Sequence, residues 1–229
     1  MIRTCCALMA LCLTCWAAAA KQDKVGDVLL NLPPPAGYCD LNEAHASDAR
    51  MLSVIGGVLE KGGNRLVAMS ADCRQLEDWR SGKRPLLANY AQYQTRKAAE
   101  NAPLPAAPAE LIKATCQQLR AQGESAASRM MSDVQKRFDE ALTTIKYNES
   151  KFLGVLAEEA NTCYAALLSR IRAETGTDVA QVGMFAIMVV KGKLVFYYLF
   201  APYVGAPGVT TQLDQLRHNV AALVAANRK

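Results

Sequence analysis

Residues 181–201 read QVGMFAIMVVKGKLVFYYLFA, and this stretch decides the fold. Val, Ile, Phe and Tyr dominate both halves, and Lys191-Gly192 separates them. That is the composition of two strands, Gln181–Val190 and Lys193–Ala201, joined by a tight turn. Side chains alternate along a strand, so Val182, Met184, Ala186 and Met188 share one face. Phe185, Ile187 and Val189 share the other. Both sets are apolar, and such a hairpin needs cover on both sides of its sheet. Met184, Phe185, Ala186, Ile187, Val189, Val195 and Leu199 are therefore expected to be buried.

Toward the C-terminus, Ala206–Gly208 turns the chain into a last helix. Thr211 and Asp214 form a start that is like a capping box, and Leu213, Leu216, Val220, Leu223 and Val224 form its buried stripe. Toward the N-terminus, Gly176-Thr177-Asp178 is a turn. Lys151–Ile171 fits either a helix or a hairpin. The hairpin, Lys151–Ala157 and Thr162–Arg172, is preferred because Gly154 and the polar run Glu158–Asn161 interrupt the helical spacing. With 181–201 it makes a four-strand meander. Before the meander, Glu110–Leu119 is helical and Gly123 interrupts. Met130, Met131, Val134, Phe138, Ala141, Leu142 and Ile145 then trace an apolar stripe, read as ordinary core. Asn101–Pro108, with three Pro, is a connecting loop.

The opening of the mature chain mixes strands and helices. Lys21–Asp27 is polar and loose, and Val28–Leu32 is a short strand stopped by Pro33-Pro34-Pro35. Ala36-Gly37-Tyr38 turns into Cys39-Asp40-Leu41. Ser47 is an N-cap candidate for a helix carrying Met51, Leu52, Ile55, Val58 and Leu59. Gly56-Gly57 inside it predicts close backbone packing, and Gly62-Gly63 ends it. Arg65–Ser70 is a strand, Asp72–Arg80 a short helix ending at Ser81-Gly82, and Leu86–Thr95 a further strand. The whole is α+β: a mainly antiparallel sheet with helices on both faces, an α/β/α sandwich in one domain over residues 21–229. The order of elements, resting on Met184–Tyr203 and the terminal helix, resembles the PsbP-like fold, which includes the DcrB-like envelope proteins. That resemblance implies a fold and a compartment, and a binding or accessory role rather than catalysis.

Met1–Ala20 has the layout of a secretory signal peptide. Arg3 is the positive n-region, Ala7–Trp16 the apolar core, and Ala17–Ala20 supply small residues for a cut before Lys21. The apolar run is short for a bilayer span, so an uncleaved anchor is the lesser reading. Four of the eight Cys (Cys5, Cys6, Cys12, Cys15) leave with it, including the C-x-x-C spacing at Cys12 and Cys15. Cys39, Cys73, Cys116 and Cys163 remain. An even number in an exported chain points to disulfides, and four Cys allow about three pairings. Cys39–Cys73 and Cys116–Cys163 are favoured. The first pair follows if the two early extended segments lie side by side, and the second if helix packs over sheet.

Apolar residues make up 51% of the 229-residue chain and charged ones 21%, which excludes a disordered or low-complexity protein. The net charge of +5 comes without a Lys/Arg block, so nucleic acid is not expected as a partner. No nucleophile elbow, Walker A loop or dinucleotide fingerprint is present. His45 sits among Asp40, Glu43 and Asp48, but polar residues before a helix are usually a solvated cap. His218 follows Asp214 by one turn, the spacing of a weak surface ion pair. Ser150-Lys151 is only an adjacency. Arg74, Arg80, Lys83 and Arg84 around Trp79 can serve an anionic lipid, glycan or acidic partner, but a solvated helix face is the simpler reading.

No catalytic residue, metal or cofactor is expected. The expected function is that of an exported, non-catalytic envelope protein, periplasmic or extracellular. It binds an envelope protein, a lipid or a small ligand, with membrane contact at most peripheral. The alternative is a small secreted hydrolase whose site carries no recognised motif.

Overall fold

The computed structural model describes residues 21–141, 145–173 and 178–228. The expected signal segment Met1–Ala20 and the turn at Gly176-Thr177 lie outside the described residues. So do Leu142 and the side chains of Met130, Met131, Ala141 and Ile145 in the expected stripe.

The elements in order are β1 (Lys21–Val25), β2 (Val28–Leu32), β3 (Tyr38–Asp40), α1 (Ala46–Lys61), β4 (Asn64–Asp72), α2 (Cys73–Arg80) and β5 (Tyr90–Arg96). A short 3-10 turn, Lys97–Ala99, leads to α3 (Pro108–Ala141), β6 (Ile145–Glu159), β7 (Thr162–Ala173), β8 (Asp178–Val190), β9 (Lys193–Pro202) and α4 (Ala206–Ala226). Seven strands form one antiparallel sheet in the order β3-β4-β5-β9-β8-β7-β6, so the fold is α+β as expected. The last four strands are the meander, and the preferred hairpin over 151–171 is present as β6 and β7.

The central hairpin turns at Lys191 (φ 49°) and Gly192 (φ 77°), and Val190 pairs with Lys193. Two positive φ values in a two-residue loop match the right-handed twist of the flanking strands. Its two faces feed different cores. Val182, Met184, Ala186 and Met188 join Tyr93, Tyr197, Leu199 and the α4 residues Leu216, Val220 and Leu223. Phe185 and Ile187 join Ile112 and Cys116 of α3. A third cluster, Leu41, Met69, Ala71, Leu76 and Leu87, packs with Met51, Leu52 and Ile55 of α1 on the same face as α3. The sheet thus has α4 and the β1–β2 hairpin on one face and α1, α2 and α3 on the other. Val189 is only half-buried, contrary to expectation, because it pairs with half-buried Leu194 near the hairpin tip.

Several local expectations are corrected. Lys21–Asp27 is not loose. β1 pairs with β2 through a two-residue turn at Gly26-Asp27, and Val25, Leu30 and Leu32 anchor the hairpin in the α4 core. The α1 N-cap position is His45, not Ser47, and the Asp48 carboxylate reaches back to the amide of Asn42 at 2.8 Å. Gly56 and Gly57 do not mark close packing: a Cβ at either meets nothing within 4 Å. β5 begins at Tyr90 rather than Leu86, because the amides of Ala88 and Asn89 donate to Gln75 Oε1, both at 3.1 Å, and so leave the ladder. Gly123 does not interrupt α3. A Cβ there would meet the Phe152 ring of β6 at 2.1 Å, so the glycine is the seat of that ring. α4 starts five residues before Thr211, with Pro207 in its first turn, and Thr211 Oγ1 donates to the Pro207 carbonyl at 3.1 Å.

Candidate functional site

Register places three rows of side chains across the face that carries α1, α2 and α3. One row runs Ala71, Tyr90, Phe200, Gly183 and Leu167. The next runs Met69, Gln92, Tyr198, Phe185 and Ala165, and the third Gln94, Phe196, Ile187 and Cys163. The β4 end of the rows belongs to the core under α1 and α2, and the β7–β8 end to the core under α3. Where these cores meet, over β5 and β9, lies a seam of Tyr90, Gln92, Gln94, Phe196, Tyr198 and Phe200, with Tyr90 packed on the first core and Phe196 and Tyr198 on the second.

Burial along β9 sets the seam apart. Val195, Tyr197 and Leu199, facing α4, are at most 1% exposed, whereas Phe196, Tyr198 and Phe200 are half-buried. The rings are ordered. Tyr90 stacks on Phe200 with centroids 4.4 Å apart, Phe200 lies 6.0 Å from Tyr198, and Phe185 lies 5.5 Å from Tyr198. Gly183 makes room for the row, since a Cβ there would come within 2.8 Å of the Phe200 ring. The polar groups are held as well. Gln94 Nε2 donates to Gln92 Oε1 at 2.7 Å, and Tyr90 Oη donates to Gln181 Oε1 at 3.3 Å. Burial pushes the Tyr198 hydroxyl up to about 12, so it stays protonated at neutral pH. Flat ring faces beside fixed carboxamides suit binding of an apolar or amphipathic group.

Both helical walls are fastened covalently. Cys39 of β3 is bonded to Cys73, the first residue of α2, with Cα atoms 4.9 Å apart. Cys116 of α3 is bonded to Cys163 of β7, with Cα atoms 5.6 Å apart. Each bond ties a helix of the seam face to a strand, one on either side of the aromatic row.

The other sequence candidates do not converge. His45, at the start of α1, and His218, on α4, are both exposed, and they lie on elements covering opposite faces of the sheet. Among the described residues no group of three His, Cys, Asp or Glu is placed to hold a metal ion. Asp214 meets Arg217 at 3.8 Å instead of His218. Ser150 Oγ lies 3.1 Å from Ser169 Oγ, and Lys151 alternates to the opposite side of β6.

The basic cluster is divided. Arg74 and Lys83 are exposed, and Trp79 packs on the core under α1 and α2. Arg80 is turned inward: its Nε meets Asp48 Oδ1 at 3.0 Å, and Nη2 meets Oδ2. Asp48 is fully buried. Burial raises its carboxyl, but the hydrogen bonds from Arg80 and the Asn42 amide, with the charges of Arg80 and His45, outweigh it and hold the group below the ordinary value.

The seam escapes a reading of β9 as core on both faces. Its signal is the period of two at Tyr90, Gln92 and Gln94, since buried amides at alternate positions of a strand mark a face that is not simple core. No family model matches the chain, and no curated protein matches it either.

Proposed function

We propose that this chain is an exported, non-catalytic binding or accessory protein of the cell envelope, built on a PsbP-like fold, whose ligand rests on the seam of Tyr90, Phe196, Tyr198 and Phe200. The observation that carries the reading is the partly buried aromatic row between two disulfide-tethered helical walls. Aromatic rings left partly open beside fixed amides favour recognition, and the seam's own titratable groups are tyrosines rather than a nucleophile paired with a base. Export is supported by the layout of Met1–Ala20 and by two disulfides, the chemistry of an oxidising compartment. Among the described residues no helix is long and apolar enough to cross a membrane.

The test uses the full chain with a C-terminal tag, expressed in its own cell. N-terminal sequencing of the exported protein is expected to begin at Lys21. Affinity purification from the envelope is compared for the natural chain and for Tyr198→Ala. The expected result is a protein or small molecule retained by the natural chain and lost from a folded Tyr198→Ala variant. Equal retention by both removes the seam from the proposal, and an N-terminus at Met1 removes export by cleavage.

A further inference from the structure

The two disulfides occupy opposite environments. Cys116 and Cys163 are each 0% exposed, sealed between α3 and the sheet. Cys39 is exposed and Cys73 half-buried, at the sheet edge formed by β3. Thiol–disulfide exchange needs a thiolate to reach a sulfur, so access decides which bond reacts in the folded protein. A bond closed within the core reacts only through an opening of the structure around it.

We propose that Cys39–Cys73 is a site of exchange with envelope thiols in the folded protein, while Cys116–Cys163 is a permanent structural bond. The partner class is a dithiol reductant. Its thiolate forms an S–S bond to Cys39 Sγ as the Cys39–Cys73 bond breaks, and the electron pair leaves on Cys73 Sγ, which takes up a proton. The reductant's second thiolate then attacks the mixed disulfide and releases Cys39, which is protonated in turn. The dithiol is oxidised to its disulfide, and the two cysteines are reduced to thiols.

The fold around the site tolerates this reaction. Besides the disulfide, β3 is held by the pairing of Tyr38 with Asp72 and of Asp40 with Ser70. The Leu41 amide donates to the Met69 carbonyl at 2.9 Å, and the Cys73 amide to the Gly37 carbonyl at 3.0 Å, and neither bond requires the disulfide. Reduction therefore loosens one corner without releasing the sheet. The corner matters because α2 carries Trp79, which packs in the same cluster as Tyr90, the end ring of the aromatic row. Trp79 reports the event well, since the only other Trp is Trp16, in the expected signal segment. The readout depends on no ligand of the seam.

The experiment treats the full exported protein with dithiothreitol in native buffer, quenches with iodoacetamide over time and maps the labelled peptides by mass. Cys39 and Cys73 are expected to label about tenfold faster than Cys116 and Cys163, or more, as access-limited exchange requires. Trp79 emission should shift in step while far-ultraviolet circular dichroism stays constant. In denaturant all four should label together. One common rate in native buffer, or faster labelling of Cys116 and Cys163, overturns the proposal. Cys39→Ser paired with Cys73→Ser should abolish the fast phase alone. Should that variant not fold, the kinetics of the natural chain still decide.

Discussion

At the scale of single residues, Asp48 and Phe185 make the sharpest cases. Asp48 is a fully buried carboxylate whose charge is met by Arg80, itself 19% exposed at its side chain. Removing one partner of such a pair strands a buried charge, so Arg80→Ala is expected to cost about 3–5 kcal/mol in chemical denaturation near neutral pH. The folded carboxyl is held below its ordinary value. The pair's contribution is therefore fully present above about pH 4 and lost as pH falls through the folded value. The stability gap between the natural chain and Arg80→Ala should narrow below about pH 4; a gap constant down to pH 2 contradicts the assignment. Phe185 is 8% exposed and packs under α3 beside Tyr198. Phe185→Ala should lower stability by about 3–5 kcal/mol, and an unchanged denaturant midpoint would place the ring at the periphery.

At the scale of elements, two glycines in helices predict opposite outcomes. Gly57 lies in the interior of α1, is exposed, and has open space where a Cβ would sit. Gly57→Ala should therefore raise thermal stability by about 0.5–1 kcal/mol, the intrinsic helix preference for Ala. The same change at Gly123 gains that preference but drives a methyl into Phe152. Overpacking of this kind costs about 1–3 kcal/mol, so Gly123→Ala should be destabilising overall. Adding Phe152→Leu should recover part of the loss, and additive effects of the two changes would show that they do not touch. Sequence periodicity treats both glycines alike, as interruptions, because it sees helix preference and not what lies above the helix.

At the scale of the whole molecule, Cys116–Cys163 closes 47 residues and ties α3 to the middle of the meander. Replacing both with Ala should lower stability by about 4 kcal/mol on the chain-entropy account. Urea denaturation against the natural chain measures it. The loss should exceed that of the exposed-edge pair Cys39 and Cys73, since burial of both sulfurs adds a packing loss to the entropic one. Equal losses would show that the buried bond adds only loop closure.

What the sequence determined by itself was whatever local period and local chemistry encode. Residues 181–201 specify a hairpin apolar on both faces because their Val, Ile, Phe and Tyr content favours strands and Lys-Gly favours a tight turn between them. From that follows the two-sided cover, and with the hairpin preferred over 151–171 come the meander and the α+β class. Four Cys in the mature chain leave a short set of disulfides, and adjacent early strands favoured Cys39–Cys73 while helix-over-sheet packing favoured Cys116–Cys163, the pairs that the structure contains. Tertiary structure decided the rest. The insertion of β5 beside β9 is one such choice, and it sets the register in which Tyr90 faces Phe200 and Gln92 faces Tyr198. No local period encodes which strand edge another strand will find, because that pairing is settled by closing a long loop against competing edges. The partly buried aromatic seam exists through that choice, and the inward turn of Arg80 onto Asp48 and the seat of Phe152 on Gly123 are likewise contacts between segments that no local period joins.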